Sequence, residues 1–518
     1  MAVEFRLLGD VLAHWAHERG AEPAVTFGES TRTWAEFDER VWRLAAALAA
    51  AGVRRGDRVA FVDKNHLACV EVSFAAGALG AANAIPNWRL APDELVYVLN
   101  DSGAEVVFVG AELLPVVVSV RDRLPSVRRV VVVGGDADEY ESFLASGDPA
   151  SLDTTAVSEE DGVLVMYTSG TTGFPKGAVL THRSVLAHAR AVGTAFPMEP
   201  GDKNLVAMPL FHVGGTCYAI VGFLSGVPTI MTREPDAKSL FGALAAGATH
   251  AFLVPPVVGA IVQAGEQAIE AFSRLKYLGY GASPMPLPLL RTALAAWPDM
   301  RFVQVYGMTE LSGAVTTLDN DAHRDESRLE RLASAGRPVP GVDIRIVDPA
   351  RLQDAGDTGS GEVWIRTEQR MAGYLGKPEA TAETIVDGWV RTGDVGRLDD
   401  GGFLFLEDRV KDMIITGGEN VYSPEVERVL AEFPGVAEVA VIGVPDERWG
   451  EQVKAIVVAQ PETKVDEEKL VEFCRERLAH FKCPSSVDFL EALPRNATGK
   501  ILKRTLREPY WRGRDREV

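Results

Sequence analysis

Ten residues in a row, Thr168-Ser169-Gly170-Thr171-Thr172-Gly173-Phe174-Pro175-Lys176-Gly177, are nearly all small or polar, and a β-type run lies on either side of them. Glycines let backbone N–H groups close on an anion, and hydroxyls add donors without adding charge. Lys176 adds a cation. A loop of this kind between two strands is suited to holding phosphates. It is not a Walker loop, because Gly-Lys-Ser/Thr is replaced by Pro175-Lys176-Gly177. A plain surface turn would not need so long a stretch of donors.

Composition narrows what such a loop serves. The chain has 518 residues, a length that predicts roughly three domains' worth of structure. Its 47% hydrophobic and 24% charged residues match ordinary globular usage and exclude disordered and fibrous classes. The formal net charge of −20 argues against sequence-independent nucleic-acid binding, which needs a positive surface, but leaves room for a local basic pocket. Cys69, Cys217, Cys474 and Cys483 are dispersed without a Cys-x-x-Cys pair, which excludes a disulfide scaffold or zinc knuckle and fits a reducing compartment. Glu4 and Asp10 do not suit a signal peptide, and Arg516-Glu517-Val518 is neither a peroxisomal address nor a prenylation box. The apolar stretches Tyr218–Met231 and Ala251–Ala264 are interrupted, short of the roughly 20 residues a membrane span needs. A soluble cytoplasmic protein is expected.

The elements that must position the loop follow from periodicity. Leu7, Leu8, Val11, Leu12 and Trp15 recur at helical spacing, and Val41–Ala51 reads as a helix stopping at Gly52. Runs at Arg58–Val62, Glu105–Val109, Arg129–Val133, Gly162–Tyr167, Ala251–Val254 and Phe302–Tyr306 alternate with helical segments, predicting βαβ units and mainly parallel sheet. After Ser334 the strands at Val342–Val347, Gly361–Ile365 and Phe403–Leu406 come closer together, joined by Gly/Asp turns, as in antiparallel structure. The remaining residues predict a small α+β unit. It has helices at Pro424–Phe433 and Glu467–Leu478, and strands at Val436–Val444, Lys454–Ala459 and Val487–Leu490. The expected class is α/β: a large N-terminal body of several subdomains over residues 1–407, with a small β-barrel-like part, and a mobile C-terminal domain over 408–518. The boundary falls at Glu407-Asp408-Arg409.

Thr168–Gly177 resembles the phosphate-binding signature of the adenylate-forming superfamily, and four further signatures follow in that family's order. They are Tyr306-Gly307-Met308-Thr309-Glu310 and Trp389-Val390-Arg391-Thr392-Gly393-Asp394. Then come Asp408-Arg409-Val410-Lys411-Asp412 leading into Gly417-Gly418-Glu419-Asn420-Val421, and Pro494-Arg495-Asn496-Ala497-Thr498-Gly499-Lys500. The resemblance covers nearly the whole chain and implies an acyl-CoA synthetase. Such an enzyme converts carboxylate and ATP to acyl-AMP and pyrophosphate, then acyl-AMP and coenzyme A to acyl-CoA and AMP.

The roles it implies make physical sense. Thr168, Ser169, Gly170, Thr171, Thr172, Gly173 and Lys176 would hold the β- and γ-phosphates. Lys500 would bridge the carboxylate and α-phosphate as charge develops. Tyr306 would stack on adenine against Gly281, Ala282 and Ser283, with Gly307 beside it. Thr309 would bond the α-phosphate, and Glu310 with Thr171 would hold Mg²⁺, a hard cation that takes oxygen ligands. Asp394 would accept the ribose hydroxyls, with Arg409 beside it and Lys411 also at the nucleotide. Asp408 would be the hinge that swaps Lys500 for the Gly417-Gly418 face, where the thin pantetheine arm passes. His212 would stand beside the carboxylate, with the acyl pocket near Phe211–Thr216, Val254-Pro255-Pro256 and Tyr280, where Gly214, Gly215 and Gly222 leave room. No Asp or Arg in these segments would pair an α-amino group, so an apolar acid (fatty, aryl-alkyl or bulky polycyclic) is expected rather than an amino acid. Relatives of this kind also suggest a homodimer. The family often has Phe or Tyr where this chain has Val390.

Three readings stay open on sequence. One is an acid–CoA ligase. Another is an adenylating or thioesterifying half-enzyme working with a carrier protein or partner enzyme. The third is a luciferase-like oxygenase or silent nucleotide-binding regulator. Retention of Lys176, Lys500 and the Gly417-Gly418 segment favours the first. His323-Arg324-Asp325 imitates a kinase catalytic loop, but Glu330 stands where its asparagine belongs. Asn496-Ala497-Thr498 fits a glycosylation sequon without any sign of secretion, and Asp101-Ser102-Gly103 reads as a turn.

Overall fold

Valine-rich runs too short for helices become parallel strands of one sheet. In the computed structural model, Arg58–Val62, Val106–Gly110 and Arg129–Val133 pair in parallel. Their side chains are buried on both faces almost throughout, as parallel sheets covered by helices require. The structure describes all residues except 1–3, 153–155, 169–174, 284, 349–351, 356–358, 410–411, 417–418, 447, 496–500 and 513–518, and the side chains of 409, 415, 419 and 420. Within it two compact units are distinguished, residues 1–343 with 365–390, and residues 344–364 with 391–518. Residues 391–407 belong with the C-terminal residues in the second unit, whereas the sequence reading sets its boundary at 407/408.

The first unit holds a seven-stranded and a nine-stranded sheet. The former runs 373–374, 176–181, 162–168, 82–84, 58–62, 106–110, 129–133. The latter runs 337–338, 313–318, 301–308, 277–281, 250–253, 204–206, 229–231, 23–27, 30–33, and its six inner strands, from 301–308 to 23–27, are parallel. Two largely apolar helices pack on these sheets. Leu67–Ala78 is buried along its full length, and Val213–Leu224 nearly so. The two apolar stretches of the sequence are therefore core helix–strand pairs, and no described helix is long and apolar enough to cross a membrane. The helix read from Val41 begins earlier, at Trp34, because Thr33 and Glu36 form a reciprocal capping box.

In the second unit, Trp389–Leu398 and Leu404–Arg409 pair antiparallel, and Val342–Asp348 pairs with Gln353–Asp354 in the same sheet. This is the antiparallel structure that the strand spacing after Ser334 predicts. The C-terminal residues form a five-stranded sheet centred on Gly450–Ala459, with helices Ser423–Leu430, Glu467–Arg475 and Lys503–Trp511. The fold is mixed α/β throughout.

Five histidines of the first unit carry a pH prediction. Burial lowers His66, His182, His188, His212 and His323 to about 4. The unfolded chain binds their protons near pH ~6.5, so between these limits it takes up protons that the folded chain refuses. Stability is therefore present above about pH 6.5 and is lost as pH falls towards 4. Calorimetry should show Tm falling by several degrees between about pH 7 and 5, with a shallower slope for His323→Gln. A flat profile over that window contradicts the assignment.

Candidate functional site

The phosphate-type loop is anchored at both ends. Gly162–Thr168 and Lys176–Thr181 form an antiparallel pair with Thr168 opposite Lys176 and Tyr167 opposite Gly177. Residues 169–174, hence Ser169, Gly170, Thr171, Thr172 and Gly173, lie outside the described residues. Tyr167 donates its hydroxyl proton to Asp101 Oδ2 (2.9 Å), Lys377 Nζ donates to Asp101 Oδ1 (2.6 Å), and Tyr97 donates to the Pro175 carbonyl (3.2 Å). A Cβ at Gly177 would lie 2.8 Å from Val165 Cγ1 and 3.0 Å from Tyr167 Cζ, so glycine is needed there. Asp101-Ser102-Gly103, read as a turn, is a helix end with Gly103 left-handed, and Asp101 is the loop's anchor.

Lys176 is half-buried, with its ammonium 5.0 Å from the centre of the Tyr374 ring and no carboxylate partner among the described residues. The same Tyr374 donates its hydroxyl proton to Glu310 Oε1 at 2.6 Å. Glu310 is only 6% exposed, and its carbonyl accepts the Met371 N–H at 2.8 Å. Thr309 opens the single 3-10 turn Thr309–Leu311 that carries it. The structure thus gathers Lys176 and Glu310 around a residue that sequence reasoning missed. A buried carboxylate beside a phosphate-type loop fits a hard divalent cation, which takes oxygen ligands. Within the expected pair of cation ligands, Thr171 lies outside the described residues.

Gly281, Ala282, Ser283, Tyr306 and Gly307 meet at the carboxyl ends of two adjacent parallel strands, with Gly281 in register with Val305. Ligands bind at such ends in open α/β sheets. A Cβ at Gly281 would lie 2.5 Å from the Val305 carbonyl oxygen, and one at Gly307 would lie 1.8 Å from that of Gly313, so backbone closeness excludes side chains from both positions. Ala282 holds a left-handed φ of 63°, which directs the chain off the strand end. Tyr306 is half-buried. His188, also missed, accepts the Ala314 N–H on Nε2 (3.1 Å) and so braces the strand that follows Glu310.

His212 caps the helix Val213–Leu224, accepting the Gly214 N–H on Nδ1 at 3.1 Å. That bond leaves the proton on Nε2, and burial keeps the ring neutral at neutral pH. The surroundings expected to be spacious are filled. A Cβ at Gly215 would lie 2.2 Å from the Pro209 carbonyl oxygen, one at Gly222 2.4 Å from Asn204 Nδ2, and one at Gly214 3.1 Å from Phe252. These glycines serve close packing. Tyr280, expected to line the acyl pocket, is 1% exposed and hydrogen-bonds His323 Nε2 at 2.8 Å, a core pair.

In the second unit Asp394 is 7% exposed, opposite Arg409 in the strand pair, and its N–H donates to Thr392 Oγ1 (3.1 Å). Arg391 pairs with Glu362 at 3.0 Å. Asp408 Oδ2 accepts both the N–H (2.7 Å) and the hydroxyl (2.9 Å) of Ser423, the first residue of the helix Ser423–Leu430. Lys411, Gly417, Gly418, Lys500 and the Arg409 side chain lie outside the described residues. The chain on either side of 496–500 is tied by an Arg495–Ile501 bridge and by the Leu502 N–H to Pro494 carbonyl bond (2.8 Å).

Comparison with known proteins identifies the family. The AMP-binding enzyme family matches residues 12–375, and the AMP-binding enzyme C-terminal domain matches 425–500. The fatty acid–[acyl-carrier-protein] ligase ScoC of Streptomyces coeruleorubidus is 37% identical over 512 residues, 98% of this chain and 96% of its own length. The long-chain fatty acid–CoA ligase FadD13 of Mycobacterium tuberculosis is 37% identical over 486 residues, 92% of this chain and 93% of its own. The solved structure of o-succinylbenzoate coenzyme A synthetase from Bacillus subtilis with ATP and magnesium ion matches with a TM-score of 0.83 at 27% identity, covering 96% of this chain and 98% of that one. Matched across both family regions and by relatives along almost its full length, the chain belongs to the AMP-binding enzyme family.

Proposed function

We propose that this chain is an ATP-dependent carboxylic acid–CoA ligase acting on an apolar acid. A carboxylate oxygen attacks the α-phosphorus of ATP, the bond to the β-phosphate oxygen breaks, and pyrophosphate leaves. The thiol of coenzyme A then attacks the acyl carbon, AMP leaves, and the thiol proton passes to solvent. The observation that carries the reading is the grouping of Lys176 and Glu310 around Tyr374 at the anchored end of the Ser/Thr/Gly loop. A cation and a buried carboxylate beside that loop support a site for phosphates and a divalent metal. Mg²⁺, held by Glu310 with Thr171, supplies charge neutralisation at the phosphates when bound. Lys176 and residues Thr168–Gly173 take the β- and γ-phosphates, and Tyr306 with Gly281–Ser283 and Gly307 takes the base. Thr309 takes the α-phosphate, and Asp394, Arg409 and Lys411 take the ribose side. The neutral His212 offers an Nε2–H donor to the acid's carboxylate. Lys500 and the Gly417-Gly418 segment serve the two steps in turn, with residues 408–518 pivoting at Asp408. A homodimer in the cytoplasm belongs to the same proposal.

A carrier-protein thiol as acceptor is the second reading, favoured by the similarity to ScoC, named as a fatty acid–[acyl-carrier-protein] ligase. Incubation with ATP, Mg²⁺, coenzyme A and a panel of fatty, aryl-alkyl and polycyclic acids, with AMP, acyl-AMP and acyl-CoA all measured, separates the two. Acyl-CoA with stoichiometric AMP is expected. Acyl-AMP without thioester supports the carrier reading, and neither acyl-AMP nor AMP from any acid refutes adenylation.

A further inference from the structure

The two-residue strand Gly373–Tyr374 adds to the edge of the seven-stranded sheet, antiparallel to Lys176–Thr181, with Tyr374 opposite Ala178. Side chains alternate along a strand, so Lys176, two residues before Ala178, shares Tyr374's face and is its diagonal neighbour. Three contacts fix the segment: Tyr374 N–H to Thr381 Oγ1 (2.9 Å), Leu375 N–H to the Gly177 carbonyl (2.8 Å) and Ala372 N–H to the Val179 carbonyl (2.9 Å). The backbone that carries the ring is therefore fixed at the sheet edge. The ring lies under the Lys176 ammonium, and its hydroxyl reaches 2.6 Å to a carboxylate 64 residues away in sequence.

We propose that Tyr374 is a positioning residue for the nucleotide site: its hydroxyl orients the Glu310 carboxylate towards the divalent cation, and its ring carries the phosphate-binding ammonium of Lys176. This rests on the adenylation reading. A hydrogen bond on Oε1 selects one carboxylate rotamer and turns Oε2 to a defined direction. A cation–π contact holds a flexible four-carbon side chain without neutralising it, as a carboxylate partner would. One side chain thus fixes the spacing between the cation ligand and the phosphate cation.

The test uses the full chain and needs no turnover. Binding of Mn²⁺ as a spectroscopic substitute for Mg²⁺ is measured by electron paramagnetic resonance in the presence of a non-hydrolysable ATP analogue and without acid. Analogue binding without metal is measured by calorimetry. Tyr374→Phe keeps the ring and should weaken Mn²⁺ by about tenfold, the scale of one hydrogen bond to a charged group, while metal-free analogue binding stays unchanged. Tyr374→Ala should weaken both. In a Glu310→Ala background, Tyr374→Phe should change the residual Mn²⁺ affinity less than about twofold, because the acceptor of its hydroxyl is already gone. Unaltered Mn²⁺ affinity in Tyr374→Phe, or a tenfold loss that persists without Glu310, overturns the proposal. Should Tyr374→Ala fail to fold, the phenylalanine variant and the double-variant cycle decide alone. A wild-type chain that binds neither analogue nor metal overturns the adenylation reading as well, whereas binding with no Tyr374 dependence overturns this proposal alone.

Discussion

Replacing Lys500 by alanine is expected to lower acyl-adenylate formation by roughly 10²–10³-fold, the cost of one preorganised donor to developing charge. The first step drives a carboxylate anion against a polyphosphate. At ~4 Å and an effective dielectric near 20, each unit charge is worth about 4 kcal/mol, so one well-placed ammonium is a large share of the barrier reduction. Lys176, whose ammonium lacks a carboxylate partner among the described residues, is assigned to the β- and γ-phosphates and cannot also meet the incoming carboxylate. The backbone flanking Lys500 is tied by the Arg495–Ile501 bridge and by the Arg495–Glu438 ion pair at 3.0 Å, so removing the lysine should leave Tm in place. The measurement is pyrophosphate release from ATP and acid, alongside thioester formation from supplied acyl-AMP. The first should fall and the second should hold within about threefold. Undiminished pyrophosphate release would remove Lys500 from the reaction.

Much of this frame is legible in the residues. Arg58–Val62 and Arg129–Val133 have the bounds that their β-branched runs predict, because each run of buried residues after its leading arginine is unbroken by a polar position. The helix Trp34–Ala50 is half hidden in sequence, since Glu36, Asp38, Glu39 and Arg40 mask its apolar stripe, although the Thr33/Glu36 spacing of a capping box was there to be found. What sequence could not supply is long-range pairing. Tyr374 gains its place from register with Ala178, nearly 200 residues earlier, and a two-residue strand has no periodicity to detect. Tyr280 looked like a pocket wall until His323, 43 residues later, was found holding its hydroxyl. Gly215 and Gly222 suggested space because an absent Cβ looks the same whether a ligand or a neighbouring backbone fills the gap. Motifs named the candidate groups. Tertiary contacts decided which of them meet within the first unit.

Asp408→Pro is expected to lower thioester formation by about 10²-fold while adenylation changes by less than about fivefold, because a two-step enzyme that exchanges one face for another depends on its hinge in the step after the exchange. Proline locks φ near −65° and removes the N–H, so the backbone at this position loses its ability to rotate. The carboxylate matters too. Asp408 is 8% exposed, and its Oδ2 accepts two bonds from Ser423 at the start of the helix Ser423–Leu430, which couples the pivot to the element that follows it. Asp408→Ala, losing those bonds but keeping free rotation, separates the two contributions. If rotation limits the second step, alanine should retain most thioester formation and proline should not. If the Ser423 bonds are what count, both variants should lose it alike. Rapid-quench measurement of acyl-AMP and acyl-CoA on the same enzyme gives the two rates directly. A proline variant that loses both half-reactions in equal measure would place Asp408 outside any pivot and leave it a structural cap for the helix.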